Sequence, residues 1–286
     1  MKHLLAIRDL DRAAIEHILA LSAIEHPGKP LSGKGVALVF QKPSTRTRNS
    51  MEMAAVQLGG HPVYIPKEDV GLGTREAVED VARTLACYHQ IIAARVMRHS
   101  DLERMAAAVD IPVINILSDN DHPLQALADL LTVHQLLGRV EGARLAYVGD
   151  ANNVARSLAE ACSLLGAELT IASPEGYGFE APPPGVRQVV DPAEAVAGAQ
   201  FVYTDVWVSM GQDEEVEERR RAFAGYRVDE ALMARTDDAW FLHCLPAHRG
   251  EEVTAEVLEG PRSAIWRQAA NRMHTARGAM AWVLEQ

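Results

Sequence analysis

The chain has 286 residues, with 28 Lys and Arg against 39 Asp and Glu, a formal net charge of −11, and 48% hydrophobic but 5% aromatic residues. These globular fractions exclude a disordered chain or a fibrous repeat. The acidic balance excludes a polyanion-coating protein that holds nucleic acid through many basic contacts, while leaving room for one small anion at a local cluster of arginines.

At roughly 100–200 residues per domain, the length predicts two domains or one large α/β unit. Cys87, Cys162 and Cys244 form an odd, scattered set, which predicts a reduced, intracellular setting. The N-terminal stretch lacks the apolar core of a signal peptide, and no segment reaches the ~18 apolar residues of a membrane helix. A soluble, cytoplasmic protein with no membrane or nucleic-acid partner is expected.

In chain order, short apolar runs at 35–40 (GVALVF), 62–65 (PVYI), 91–94 (IIAA) and 112–116 (PVINI) predict buried strands. Helical spacing fills 46–58, 75–88 and 100–108 between and around them, and a helical stretch at 123–138 leads into a second series. That series has strands at 144–148, 167–172, 187–190, 200–204 and 240–243, with helices such as 153–165 and 193–198. Strands alternating with helices predict α/β lobes with parallel sheets flanked by helices, and the two series predict two of them. Ligands of such sheets usually sit beyond the strand ends or between lobes, so a site in the interdomain cleft is expected. The segment 180–186 (EAPPPGV) reads as a surface loop. Asp213 to Arg221 (DEEVEERRR) reads as a solvated helix laced by i, i+4 pairs.

Two glycine-bearing segments imitate nucleotide motifs. Gly28 to Gly35 (GKPLSGKG) carries Gly35 where Ser or Thr would hold magnesium, and precedes a strand instead of following one, so a turn is expected. Val148 to Asn153 (VGDANN) lacks the three-glycine spacing of a dinucleotide turn, and no nicotinamide cofactor is expected.

Lys42-Pro43-Ser44-Thr45-Arg46-Thr47-Arg48 follows the first strand and opens a helix. Unpaired N–H groups and the dipole of a helix start suit a phosphate; Ser44, Thr45 and Thr47 add hydroxyls, and Arg46 can grip two oxygens. Asp121-His122-Pro123-Leu124-Gln125 also follows a strand, with Pro123 suited to a first helical turn. His122 and Gln125 are spaced to polarise a carbonyl oxygen together, or simply to satisfy a polar turn. Asp205 leaves a strand end and suits either an amine or a cap. His243-Cys244-Leu245-Pro246-Ala247-His248 leaves open a metal site, a thiol nucleophile or a non-covalent contact surface. The usual zinc spacings are absent, and a nucleophile needs partners that only the fold can place.

Together these segments resemble the aspartate/ornithine transcarbamylase family over nearly the whole chain. Ser44-Thr45-Arg46-Thr47-Arg48 is similar to the family's carbamoyl-phosphate signature, His122-Pro123-Leu124-Gln125 to its second element, and Arg95 to the arginine used near the carbonyl. Asn152-Asn153, Asp205 with Ser209-Met210-Gly211, and His243-Cys244-Leu245-Pro246 resemble the ornithine-type pattern, not the aspartate-type one; Asn271-Arg272 resembles the late arginine that returns to the first site.

The resemblance implies that carbamoyl phosphate and L-ornithine give L-citrulline and phosphate, in arginine biosynthesis, without metal or cofactor, in a homotrimer. It implies a carbamoyl-phosphate domain over 1–135, joined by a C-terminal helix at about 267–286, and an ornithine domain over 136–266. Carbamoyl phosphate would be held by Ser44, Thr45, Arg46, Thr47, Arg95, His122, Pro123, Leu124, Gln125, Cys244, Leu245 and Arg272, with Arg95, His122 and Cys244 catalytic. Ornithine would be held by Asn153, Asp205, Ser209 and Met210. Its δ-amine, with an ordinary pKa near ~10.4, must be neutral to attack, and Asp205 and Cys244 are expected to orient it. Many relatives carry Gln or His in the loop after the second strand, reaching a neighbouring subunit's phosphate site; here Gly71 stands, so either a nearby residue such as Arg75 substitutes or carbamoyl phosphate is held more weakly. An acceptor other than free ornithine, or a catalytically silent sensor of the same ligands, are the competing expectations.

Overall fold

The computed structural model describes residues 3–208 and 215–285. The chain divides into two compact units, Met1–Ala128 with Asn271–Gln286, and Asp129–Ala270. Both crossings between them run through helices, Pro123–Leu137 and Ile265–Leu284.

The first unit holds a four-stranded sheet of β1 (Gly35–Phe40), β2 (His61–Pro66), β3 (His89–Arg95) and β4 (Val113–Leu117), ordered β2-β1-β3-β4. The second holds β5 (Arg144–Val148), β6 (Glu168–Ala172), β7 (Val186–Val189), β8 (Phe201–Thr204) and β9 (Trp240–His243), ordered β7-β6-β5-β8-β9. Every pairing is parallel. The central strands are continuous apolar runs because helices cover both faces: Val36 to Phe40, Ile91 to Ala94, Leu145 to Val148 and Phe201 to Tyr203 are all buried. The edge strands β2 and β7 are only partly buried.

In each sheet the strand order reverses once beside the strand that opens it, between β1 and β3 and between β5 and β8. At such a switch point the connections leave to opposite faces and open a crevice beyond the carboxyl ends. Phe40 pairs with Arg95, and Val148 with Thr204, so the loops that follow emerge side by side. Backbone bonds carry the alignment past the strands: Gln41 N–H donates to Arg95 O (2.8 Å) and Val96 N–H to Leu117 O (2.9 Å).

The expected strands fall within two residues of those observed, and the expected helix at 153–165 coincides with Asn153–Leu165. The helix expected over 75–88 is shorter, Val78–Ala86. Gly71 and Gly73 adopt φ of 52° and 71°, and Gly71 O accepts from the N–H groups of Thr74 and Arg75, so the chain closes a loop there before the helix starts. A Cβ at Gly71 would lie 2.7 Å from Arg75 Cβ, so the left-handed glycine belongs to the backbone path itself. The Arg75 guanidinium donates within the same segment, to Asp69 O. No helix among the described residues is long and apolar enough to cross a membrane.

Candidate active site

In the first unit, β1 delivers Ser44 as the N-cap of the helix Thr45–Gln57. Its Oγ accepts from Thr47 N–H (3.3 Å) and donates to Thr47 Oγ1 (3.1 Å). Thr47 is buried, Ser44 half-buried, and Thr45 and Arg46 are exposed in the first turn. The strand-to-helix junction read from sequence is therefore present, with its N–H groups and hydroxyls at the carboxyl edge of the sheet.

Arg95 ends β3 and is 4% exposed; His122, just before the helix Pro123–Leu137, is 7% exposed, and Arg272 in the helix Ile265–Leu284 is 5% exposed. Burial, then the positive charges of Arg272 and Arg95, hold the His122 pKa well below its ordinary value. The imidazole is thus neutral at neutral pH, with one N–H to donate among two guanidinium charges. Three residues drawn from distant stretches of sequence are thus coupled, the two guanidinium charges acting on one neutral imidazole. Gln125 is buried one turn into the helix, its N–H donating to His122 O (3.0 Å), and Leu124 is fully buried.

Arg8 and Asn115, not singled out in the sequence, hold this turn in place through Asp121. The Asp121 carboxylate accepts both terminal nitrogens of Arg8 (2.9 and 3.1 Å). Asn115, within β4, donates through Nδ2 to Leu5 O (2.8 Å) and Asp121 O (3.3 Å). A polar Asn inside the apolar run PVINI was the one sequence signal for this support.

In the second unit, Asn152 caps the helix Asn153–Leu165 through Oδ1, accepting from Val154 N–H (2.9 Å) and Ala155 N–H (3.1 Å), and its Nδ2 donates to Asp205 Oδ2 (2.9 Å). The thiol of Cys244 donates to Asp205 Oδ1 (3.0 Å). Asp205, 6% exposed just past the end of β8, therefore receives two neutral donors. Burial first, then the Asp205 carboxylate, push the Cys244 thiol well above its ordinary range. That argues against a thiolate nucleophile, leaving Cys244 as an S–H donor.

His243 is buried with both ring nitrogens engaged: Nδ1 accepts from Leu245 N–H (2.9 Å), so Nε2 carries the proton facing Glu252 Oε1 (3.1 Å). Asp205, His243 and Cys244 bring potential ligand atoms within 4.8 Å of one another, but these hydrogen bonds occupy the imidazole and disfavour a metal there. His243 N–H donates to Gln268 Oε1 (2.9 Å), and Gln268 Nε2 to Asp129 Oδ1 (2.7 Å). Leu245 follows at φ 61°, a left-handed conformation that non-glycine residues hold at a cost of about 1–2 kcal/mol. Asn153, named from sequence for ornithine, is the first residue of its helix, beside the Asn152 that touches Asp205. Ser209, Met210 and Gly211 lie outside the described residues.

In its described part the charge run is the expected solvated helix, with Glu217, Glu218, Arg220 and Arg221 exposed, but for one residue. Within its described part the helix is Val216–Ala222, and Arg219 turns inward at 7% exposure, donating to Asp150 Oδ2 (2.9 Å), Trp207 O (3.2 Å) and Glu215 Oε2 (2.8 Å). A buried carboxylate at Asp150 selects one of three consecutive arginines, and sequence spacing cannot say which.

The family profile described as "Aspartate/ornithine carbamoyltransferase, carbamoyl-P binding domain" matches residues 2–135, and that described as the "Asp/Orn binding domain" matches 141–283. The chain belongs to the aspartate/ornithine carbamoyltransferase family. Within this family it is 47% identical to the ornithine carbamoyltransferase of Acidothermus cellulolyticus over 306 residues, covering 100% of this chain and 97% of the relative. It is 45% identical to the anabolic ornithine carbamoyltransferase of Pyrococcus furiosus over 274 residues, covering 91% of this chain and 87% of the relative. The solved structure of ornithine carbamoyltransferase from Pyrococcus furiosus superposes with a TM-score of 0.94 at 42% identity, covering 99% and 97% of the two chains. Ser44–Arg48, His122–Gln125 and His243–Pro246 follow the carboxyl ends of β1, β4 and β9.

Proposed function

We propose that this chain is an ornithine carbamoyltransferase of arginine biosynthesis, converting carbamoyl phosphate and L-ornithine to L-citrulline and phosphate. The observation that carries the choice of acceptor is Asp205: a buried carboxylate whose described partners, Asn152 and Cys244, are neutral. Such a group suits the ammonium of an amino acid, and the full-length similarity to proteins named ornithine carbamoyltransferase agrees with it.

Phosphate oxygens are bound by the N–H groups and hydroxyls at Ser44 to Thr47, with Arg46 closing on them. His122, Arg95 and Thr47 face the carbamoyl oxygen, where negative charge grows as the amine attacks; Arg272 adds to the same field. Pro123, Leu124, Gln125 and Leu245 complete the carbamoyl-phosphate contacts. Asn153, Asp205, Ser209 and Met210 hold ornithine, with Cys244 orienting the δ-amine. A C–N bond forms, the bond from the carbonyl carbon to the phosphate oxygen breaks, and phosphate departs with the proton that the amine releases. A neutral His122 serves this step by donating a hydrogen bond without itself trading protons. A reduced cytoplasmic setting is supported by three unpaired cysteines. A homotrimer is the assembly the family resemblance favours, and no metal or cofactor enters the scheme.

The test is citrulline formation from carbamoyl phosphate with a panel of amines: ornithine, N-acetylornithine, putrescine and lysine. Ornithine is expected to give the highest kcat/KM. Product with another amine and none with ornithine would reassign the acceptor; binding of carbamoyl phosphate without product from any amine would make the protein a sensor.

A further inference from the structure

We propose that Arg219 is a positioning residue for the ornithine-facing Asp205 carboxylate, acting by riveting together the two chain turns that hold it. The inference rests on the ornithine carbamoyltransferase reading.

Asp150 follows β5 by two residues and precedes Asn152 by two; Trp207 follows Asp205 by two. Arg219 Nη1 donates to Asp150 Oδ2 (2.9 Å) and to Trp207 O (3.2 Å). A single nitrogen therefore joins the turn bearing Asn152 to the turn bearing Asp205, and those two side chains meet at 2.9 Å. The guanidinium is itself fixed: Nε donates to Glu215 Oε2 (2.8 Å), and Cζ lies 5.2 Å from the centroid of the Tyr177 ring. Tyr177 O also accepts from Ala151 N–H (3.0 Å), so the residue stacked on Arg219 holds the middle of the same turn.

An ordinary surface pair does not explain this. Arg219 is 7% and Asp150 9% exposed. Burial raises the Asp150 pKa, and the Arg219 charge is the largest influence opposing it. Without Arg219 a buried carboxylate loses its cation, which is strongly unfavourable; Asp150 must then protonate or turn outward. Either change loosens the path from β5 to Asn152 and from Asp205 to Trp207, and the Asp205–Asn152 contact with it. Displacement of about 1 Å at a substrate-holding group can cost about 10²-fold in rate. Arg219 and its contacts lie wholly in the second unit, whereas Ser44 to Thr47, Arg95 and His122 lie in the first. The effect should therefore fall on the acceptor and spare carbamoyl phosphate.

Steady-state kinetics of citrulline formation with Arg219→Met, Arg219→Lys and Asp150→Asn, each checked for folding by thermal melting, test the assignment. Arg219→Met is expected to raise the ornithine KM about 10-fold or more while the carbamoyl-phosphate KM stays within twofold. Arg219→Lys should recover part of that loss, because an ammonium can hold Asp150 but cannot bind Glu215, Asp150 and Trp207 with a planar fork. Asp150→Asn should move the ornithine KM in the same direction. An unchanged ornithine KM, or equal losses for both substrates, in variants that melt like the wild type overturns the role of Arg219 alone. If Arg219→Met fails to fold, Arg219→Lys and Asp150→Asn decide by the same split. If the wild-type chain makes no citrulline, the functional reading fails and this assignment falls with it.

Discussion

At the scale of single residues, the chemistry of Cys244 turns on which of its two forms the fold keeps. Its thiol donates to the Asp205 carboxylate at 3.0 Å, and burial with that negative charge pushes its pKa well above the ordinary range. A thiol so placed is a poor nucleophile, because only the thiolate reacts. Cys87 is exposed, while Cys162 is buried. With iodoacetamide at pH 8, Cys87 is expected to be alkylated first, Cys244 at least about 10-fold more slowly, and Cys162 only on unfolding. Peptide mass spectrometry of the time course reads this directly; equal or faster labelling of Cys244 would restore the thiolate reading. The sequence could place a cysteine between two histidines but could not choose among metal ligand, nucleophile and donor. The choice came from Asp205, 39 positions away, and from His243 having both nitrogens occupied. Arg95, His122 and Arg272 were legible as candidates, yet their common effect on one imidazole depends on tertiary placement. The bracing of the His122 turn by Arg8 and Asn115 through Asp121 was not legible, because each is an ordinary polar residue until its partner is known.

At the scale of elements, most of the pattern was open to reading because parallel sheets demand long apolar runs punctuated by turn residues. GVALVF, RLAYV and WFLH coincide with β1, β5 and β9. The helix expected from 75 starts only at Val78, because the periodicity runs on through 75–77 while the backbone is still closing a loop that turns at two left-handed glycines, Gly71 and Gly73. The helix Ile265–Leu284 makes a sharper point about packing. At Gly278 an added Cβ would lie 2.2 Å from Ser22 Oγ, 2.7 Å from Ile18 O and 2.9 Å from Ser22 N. Two of those neighbours are backbone atoms of the helix Arg12–Ala23 and cannot rotate away. Alanine gains roughly 1 kcal/mol of helix propensity over glycine, but the overlap forces two helices apart. Gly278→Ala is therefore expected to destabilise by about 1–3 kcal/mol net, with a melting temperature lower by roughly 3–10 °C. Gly225→Ala, where a Cβ meets nothing within 4 Å, is the control. A Gly278→Ala protein that melts at or above the wild-type temperature would show that the helices separate without cost.

For the whole molecule, a net charge of −11 gives one expectation about acid and the buried histidines give the opposite one. Lowering pH protonates carboxylates and relieves self-repulsion, which favours the compact state of the entire chain. Burial, the leading cause in each case, depresses the pKa of His3, His89, His122 and His274, and all four lie in the first unit. A histidine whose folded pKa lies below 6.5 binds fewer protons than its unfolded counterpart. Its contribution is intact above about pH 6.5 and is lost as pH falls from there towards the folded value, by at most about 1.4 kcal/mol per pH unit for each group. His122 carries the greatest share, since it is fully enclosed and faces two arginines, while the other three are partly solvated and contribute less. Asp150, in the second unit, has the reverse sign: its folded pKa is raised, so falling pH through that range favours the folded form. The buried groups thus separate the two units, whereas relief of surface repulsion treats them alike. Hydrogen exchange at pH 7.5 and 5.5, corrected for intrinsic rates, should show protection falling more in peptides from 3–128 and 271–285 than in those from 129–270. His122→Asn should shrink the difference, because it removes the most deeply enclosed imidazole while leaving the surface charge unchanged at pH 7.5. Unchanged or rising protection in both units would mean that relief of surface repulsion governs the response to acid, and equal or earlier loss in the second unit would overturn the assignment to the buried imidazoles of the first.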